Sequence, residues 1–340
     1  MNKTSLMVTA LFVLAIIGAY SVYKPFLLSL IVAILLSMAT FNLTKKLVDF
    51  THSPKISAAI STLMMSMLLF APIIYLATVG VNYISGIDQQ GVTDTMSALR
   101  SVINDITFLQ DLTQEYLSDE KIAEYIKAST SYLTLAGSTG LGFVKNMLFV
   151  VVFYFFINYY GNRFFDTILE LLPVSPQKGE KMMKEVSATM EIVFYSIIVT
   201  AIFEGFLFGM LMSFFGFNGL FFGVIYGFAS LIPIIGGMVV WAPVSLYVWT
   251  KIDTQTAIVI ASYSVIVISV IADTFVKPMI IEIIKRDFLK STLQINSILI
   301  FFSILAGMST YGFWGMILGP AITSFLIAIT KVYLDYSETS

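Results

Sequence analysis

Two long stretches of this chain carry no charge, and each is interrupted near its middle by glycine and proline. Residues 205–250 run 46 positions without Asp, Glu, Lys, Arg or His, and residues 291–330 run 40. A membrane-crossing helix needs only about 20 apolar residues. Each stretch is therefore long enough for two crossings or a helical hairpin. The interruptions fall at LIPIIGG (231–237) and GFWGMILGP (312–320). Inside a bilayer, broken helices survive where protein or a water-filled cavity receives the freed backbone groups. Paired interrupted segments of this kind point to a transport site.

The composition agrees with a bilayer as the main solvent. Hydrophobic residues make up 58% and charged residues 12%, against roughly 45–50% and 25% in soluble domains. A net charge of −2 argues against nucleic-acid binding, which needs a basic face. The absence of cysteine excludes disulfides, iron–sulfur clusters and thiol catalysis, and leaves the redox compartment open. The single histidine, His52, falls in the first cytoplasmic loop and reads as a solvated loop residue. With one His and no Cys the common zinc sites are out of reach, and no metal or cofactor is expected. No GxxxxGK[ST] loop occurs, so nothing supports ATP-driven pumping, and the chain is not expected to be an enzyme.

The expected fold is all-α: a polytopic membrane protein with about eight transmembrane helices. The range is about six to ten, according to whether the broken pairs cross or dip in and return. Charge-free runs put spans at 5–22 and 25–41, joined by a short turn at Lys24, then within 56–87, at 146–162 and at 191–215. Segments 220–232 and 238–248 flank the first break, 254–272 is another span, and 295–308 and 313–329 flank the second break. Lys3 before the first apolar run resembles a signal peptide, but no small-x-small cleavage site follows, so a retained span is expected.

Lysine and arginine set the orientation. Lys3, Lys45, Lys46, Lys55, Arg163, Lys178, Lys181, Lys184, Lys277, Lys285, Arg286, Lys290 and Lys331 fall on one side, 13 of 19 basic residues. That side is expected to be the cytoplasm of a bacterial inner membrane, with both termini there. Residues 88–127 differ, with eight acids against three bases. Met96, Leu99, Ile103 and Ile106 recur at helical spacing, followed by Leu109, Leu112 and Tyr116. This reads as an extracytoplasmic amphipathic insert, packed on its own protomer, lying on the membrane, or touching a second protomer. The expected organisation is N-terminal helices (1–87), insert (88–140), a span and cytoplasmic linker (141–190), a transport core (191–334) and a tail (335–340).

Ionisable residues inside a span are costly and usually functional. Glu204 lies in VTAIFEGFLFG and can hold a proton or a cation if it faces a cavity; otherwise it pairs with neighbouring polar groups or sits at a water-exposed face. Asp273 and Lys277 are four apart, a spacing that suits an intrahelical ion pair. They stand either beside the transport path or at the interface as an anchor. Pro278 follows and is expected to kink or stop the helix. Pro233, Gly236 and Gly237 can end one half-helix and start the next, or form a plain turn. Gly205 and Gly209, then Gly219, Gly223 and Gly227, and Gly315 and Gly319 before Pro320, recur every four residues. Such stripes let helices pack closely, or slide.

These residues resemble a known family. GLFFGVIYGFASLIPIIGG (219–237) looks like the Gly-rich helix and IPxxG turn of the autoinducer-2 exporter family of bacterial permeases. Asp273, Lys277-Pro278, Gly307 and YGFWGMILGP (311–320) resemble that family's acid, Lys-Pro and G-x-x-G-x-x-x-GP pattern in the same order. The early hairpin, the insert and the length match too, so the resemblance covers nearly the whole chain. Where the family often carries His-Pro before its penultimate span, this chain has Asn296-Ser297 preceded by Gln294. The resemblance implies an inner-membrane transporter of about eight spans. It implies export of autoinducer-2 in some members and Na⁺(Li⁺)/H⁺ antiport in others. A homo-oligomer, with a pentamer as the expected size, is implied as well. The family pattern lands on Pro233, Gly236, Asp273, Lys277, Pro278, Gly315, Gly319 and Pro320. Three functions follow: export of a small polar organic molecule, cation/proton antiport, or a non-transporting membrane scaffold.

Overall fold

The computed structural model describes residues 3–85, 89–104, 121, 142–171, 175–232, 235–283, 286 and 297–337. Among them, six helices are long and apolar enough to cross a membrane. The fold is all-α and polytopic.

The first helix departs from expectation. α1 (Lys3–Ala39) runs 37 residues straight through Pro25, and no turn forms at Lys24. The energetics explain this. An interior proline costs about 3 kcal/mol. Opening a turn in lipid exposes several backbone groups, each worth several kcal/mol unpaired. The continuous helix is the smaller penalty.

α2 (Phe41–Thr51) is short and amphipathic, and it ends at His52 with φ 54°. α3 (Pro54–Ser85) carries the next apolar run. The insert opens with α4 (Gln89–Asn104). α4 packs on the chain's own α9 (Met238–Lys251), where the Thr95 and Thr250 hydroxyls lie 2.8 Å apart. Met96, Leu99 and Ile103 fall on α4; Ile106, Leu109, Leu112 and Tyr116 lie outside the described residues. α5 (Gly142–Tyr160) is a span, and α6 (Asn162–Leu171) is a short amphipathic helix. α7 (Pro176–Phe214) starts with proline in its first turn, where no backbone donor is needed, and joins the Lys/Glu-rich linker to the span without a break.

Two apolar clusters organise the interior. The first gathers Val32 and Leu36 of α1, Met147, Val150 and Tyr154 of α5, and Met190 and Phe194 of α7, with Trp314 and Leu318. The second gathers Phe208 and Met212 of α7 with Tyr226, Val248, Ile260 and Ile268. Buried polar groups knit the first cluster. Ser37 donates to the Asn158 side chain at 3.1 Å, Thr40 and Tyr154 share a bond at 2.7 Å, and Thr44 and Ser61 share one at 3.2 Å. At the start of α2, the buried Glu191 carboxylate accepts the Asn42 backbone N–H at 3.3 Å and its amide at 2.8 Å. That acid satisfies a helix N-terminal donor that has no intrahelical partner.

Candidate functional site

The site begins with glycine. α7 ends at Phe214, the chain reverses through Gly216 at φ 80°, and α8 (Gly219–Ala229) runs back along α7. Asn218 caps α8 by accepting the Phe221 N–H at 3.0 Å. The two backbones touch. A Cβ on Gly205 would stand 2.5 Å from the Gly223 carbonyl oxygen, one on Gly209 2.5 Å from that of Gly219, and one on Gly227 2.7 Å from that of Ala201. The four-residue stripe seen in the sequence is therefore a close-packed hairpin seam. At about 16 Å long, α8 cannot cross a core of about 30 Å alone.

The first break lies where expected. α8 stops at Ala229, Gly236 takes φ 33°, and α9 starts at Met238. Pro233 lies outside the described residues. Gly237 meets the ring of Tyr226, which leaves no room for a side chain, and Tyr226 stacks on Phe208 at 4.5 Å.

The second break is displaced. α12 (Ser297–Tyr311) is followed by one 3₁₀ turn (Gly312–Trp314), and α13 (Gly315–Ser337) runs back along α12. The reversal sits at Gly312, φ 59°. Gly315, Gly319 and Pro320 are not the hinge; they lie inside α13. Gly315 meets the Gly307 backbone, and Gly319 meets that of Ser303. A positive φ suits only glycine in this loop, whereas Gly315 and Gly319 serve close approach.

The helix after α9 carries Asp273 and Lys277. α10 (Thr254–Tyr263) is capped by Asp253, whose carboxylate accepts the Thr256 N–H at 2.7 Å. That bond holds the Asp253 carboxyl below the usual aspartate range. The winding then widens to a π-helix over Ser264–Val276 and tightens again in α11 (Lys277–Ile283). The helix therefore passes through Pro278 rather than stopping there. Pro278 is the second residue of the α-wound segment, so the change from π to α winding falls directly before it. π-wound segments often mark functional sites.

Glu204, Asp273 and Lys277 come together. The Lys277 ammonium donates to Glu204 Oε1 at 3.1 Å and to Asp273 Oδ1 at 3.2 Å. Glu204 is nearly enclosed, with 5% of its side chain exposed, against 35% for Lys277 and 44% for Asp273. One tethered cation is thus shared by a buried and an open carboxylate. With all three ionised, the group carries a net −1. A buried carboxylate left without its cation would be strongly unfavourable. A groove of 460 Å³ on α1, lined by Leu6, Ala10, Val13 and Ile17 among others, is apolar and belongs to a different part of the chain.

Comparison with known proteins gives this geometry its context. Residues 6–335 match the family described as AI-2E family transporter. The chain belongs to this family. A protein of Helicobacter pylori strain 26695, named "Putative transport protein", is 33% identical over 334 residues, covering 95% of each chain. Its counterpart in strain J99 matches to the same extent. An Aquifex aeolicus protein of the same name is 25% identical over 273 residues, covering 74% of this chain and 72% of its own. The chain is thus an AI-2E transporter, a multi-pass membrane permease.

Three features of this AI-2E transporter were not legible beforehand. Lys277 reaches Glu204 across 73 positions, although the spacing pointed only to Asp273. The π winding has no sequence signature here. Glu191, read as the edge of a span, is 3% exposed and bonded to Asn42. Its one signal was a lone acid heading the charge-free run to Glu204.

Proposed function

We propose that this AI-2E transporter is a secondary transporter that exports a small polar organic molecule of the autoinducer-2 kind, coupled to protons at the Glu204–Lys277–Asp273 triad. The observation that carries the reading is the sharing of one lysine between a buried and an open carboxylate. Protonation of Glu204 removes its claim on Lys277. The ammonium then pairs with Asp273 alone, and the group becomes neutral. Deprotonation restores the net −1. Two electrostatic states of one buried site are what a proton-coupled carrier needs.

A second reading is Na⁺(Li⁺)/H⁺ antiport. The convergence of two carboxylates favours it, because a net −1 is balanced by one proton or one alkali cation.

Purified protein in proteoliposomes tests both. Sodium pulses that shift an internal pH dye support antiport. Proton-dependent efflux of autoinducer-2 without a sodium response supports organic export. Unchanged flux in both Glu204→Gln and Asp273→Asn would sink the triad as the coupling site. The same reading puts the Lys-rich loops in the cytoplasm of a bacterial inner membrane and the protein in a homo-oligomer, a pentamer by family likeness. Mass measurement in detergent checks the oligomer. A reporter fused ahead of α1 checks the expected cytoplasmic N-terminus, since the unbroken α1 sets its first residues at one end and α2, which carries Lys45, at the other.

A further inference from the structure

The two glycines at the first break serve different ends. Gly236 takes φ 33°, a torsion that suits glycine. Gly237 has φ −60° and ψ −18°, a helical geometry open to any L-residue except in its side-chain space. That space is taken. The Cζ, Oη and Cε2 atoms of Tyr226 stand where a Cβ on Gly237 would go. The ring is not free to yield, because Tyr226 is 1% exposed and stacked on Phe208, 26° from parallel. In the seam, by contrast, Gly205, Gly223 and Gly227 meet backbone. The second glycine of the break is therefore a socket for one aromatic side chain.

The other side of that ring leads to the triad. Tyr226 stands in the last turn of α8. Phe208, on which it stacks, lies four residues beyond Glu204 on α7, so the two share a face of that helix. Glu204 and Asp273 both act electrostatically on the Tyr226 hydroxyl. Tyr226 also belongs to the same apolar cluster as Ile268, which sits on the π-wound segment that carries Asp273. One buried side chain thus touches the break at Gly237 and the Glu204 face of α7 at once.

We propose that Tyr226 is a positioning residue that locks the turn at Gly236–Gly237 to the Glu204 face of α7, so that a change in the charge of Glu204 is passed to the first break. The input rests on the triad reading: Glu204 gains a proton and gives up its claim on Lys277, which stays with Asp273. α7 and the π-wound segment then repack about Phe208 and Ile268, and the ring carries that movement to Gly237. Packed cores pass between discrete arrangements rather than deforming smoothly. A ring that fills its site at crystal-like density transmits a displacement instead of absorbing it. Tyr226 acts through the backbone at the start of α9, and Glu204 remains the group that titrates.

The link is read as a distance in the full chain, which has no native thiol. Spin labels are placed on Ile235→Cys, 54% exposed beside the break, and on Phe214→Cys, 83% exposed at the end of α7. In reconstituted protein, Glu204→Gln, a mimic of the protonated acid, is expected to shift that distance. Tyr226→Leu removes the ring and is expected to abolish the shift, whereas Tyr226→Phe keeps the ring and should retain it. Gly237→Ala displaces the ring from the other side and should abolish the shift as well, which keeps the test open if Tyr226→Leu does not fold. A merely structural Tyr226 would lower the melting temperature and leave the shift intact, so coupling is judged from the double change, not from stability. No shift on Glu204→Gln alone, a shift that survives in folded Tyr226→Leu or Gly237→Ala protein, or its loss in Tyr226→Phe overturns the proposal. Normal flux in Glu204→Gln beside a shift that depends on Tyr226 sinks the triad as the coupling site and leaves the link standing.

Discussion

The two glycine-seamed hairpins share a geometry and differ in chemistry. In α7–α8, Gly205 meets Gly223 and Gly209 meets Gly219; in α12–α13, Gly307 meets Gly315 and Ser303 meets Gly319. Both pairs run antiparallel, reverse at a glycine with positive φ, and bring backbone against backbone. The residue before the contacting glycine tells them apart. Before Gly205 it is Glu204, buried and bonded to Lys277; before Gly307 it is Ala306, exposed. The seam is therefore scaffolding that the chain uses twice. One copy carries a buried carboxylate next to the seam, and the proposed function places the chemistry there.

The largest test of that comparison is to remove the carboxylate. Glu204→Gln is expected to reduce proton-coupled flux about 100-fold or more while the protein remains folded by thermal melting in detergent. Ala306→Ser, the matching change in the other hairpin, should leave flux within about twofold, as for an exposed substitution away from such features.

Next come the seams. Gly205→Ala and Gly307→Ala each put a Cβ against a facing carbonyl oxygen, and each is expected to destabilise by about 1–3 kcal/mol, read as a lower melting temperature. They should part company in transport. Gly205→Ala pushes α8 off α7 beside Glu204 and should also impair flux, whereas Gly307→Ala should lower stability more than it lowers flux per folded molecule. Equal losses of flux would show that both hairpins belong to the moving machinery.

Removing the shared cation sharpens the point. Lys277→Met leaves Glu204 buried without its partner, so a loss of several kcal/mol is expected. The double change Lys277→Met with Glu204→Gln should recover much of the stability but none of the proton-coupled flux. No recovery would mean that Lys277 matters for packing rather than as a counter-ion.

The smallest effect is at Asp253, outside the spans. Its folded carboxyl lies below the ordinary aspartate value because it caps α10. The contribution is complete above about pH 3.9 and is lost as pH falls through the lower folded value. Asp253→Ala should lower the melting temperature slightly at pH 7, with a gap that closes in acid.

Much of this was readable in the residues. The charge-free runs gave the spans, because a bilayer punishes a lone charge more than any soluble core does. The four-residue glycine spacing gave the seams. Glu204, Asp273 and Lys277 stood out as ions in apolar surroundings. What the sequence withheld was tertiary. Lys277 on one helix meets Glu204 on another only once α7 and α11 have packed together. A turn at Lys24 and a kink or stop at Pro278 were expected as they would be in water, where a freed carbonyl finds a new partner. In lipid it does not, and both helices run on. Gly312 was overshadowed by Gly315, Gly319 and Pro320, since spacing does not distinguish a glycine needed for its torsion from one needed for its size.

The unbroken first helix has a consequence for the surrounding bilayer. Its candidate span, Leu6–Ala39, is 34 residues with the single charge of Lys24 beside Pro25, or about 51 Å long, beside a hydrocarbon layer of about 30 Å. Even a tilt of about 40°, the upper end of the usual range, leaves about 39 Å to accommodate. The remaining ~9 Å is hydrophobic mismatch, to be absorbed by bending at Pro25 or by thickening the lipid, at fractions of a kcal/mol per ångström. The stability of this protein is therefore coupled to acyl-chain length. Reconstitution into longer-chain lipids should stabilise it.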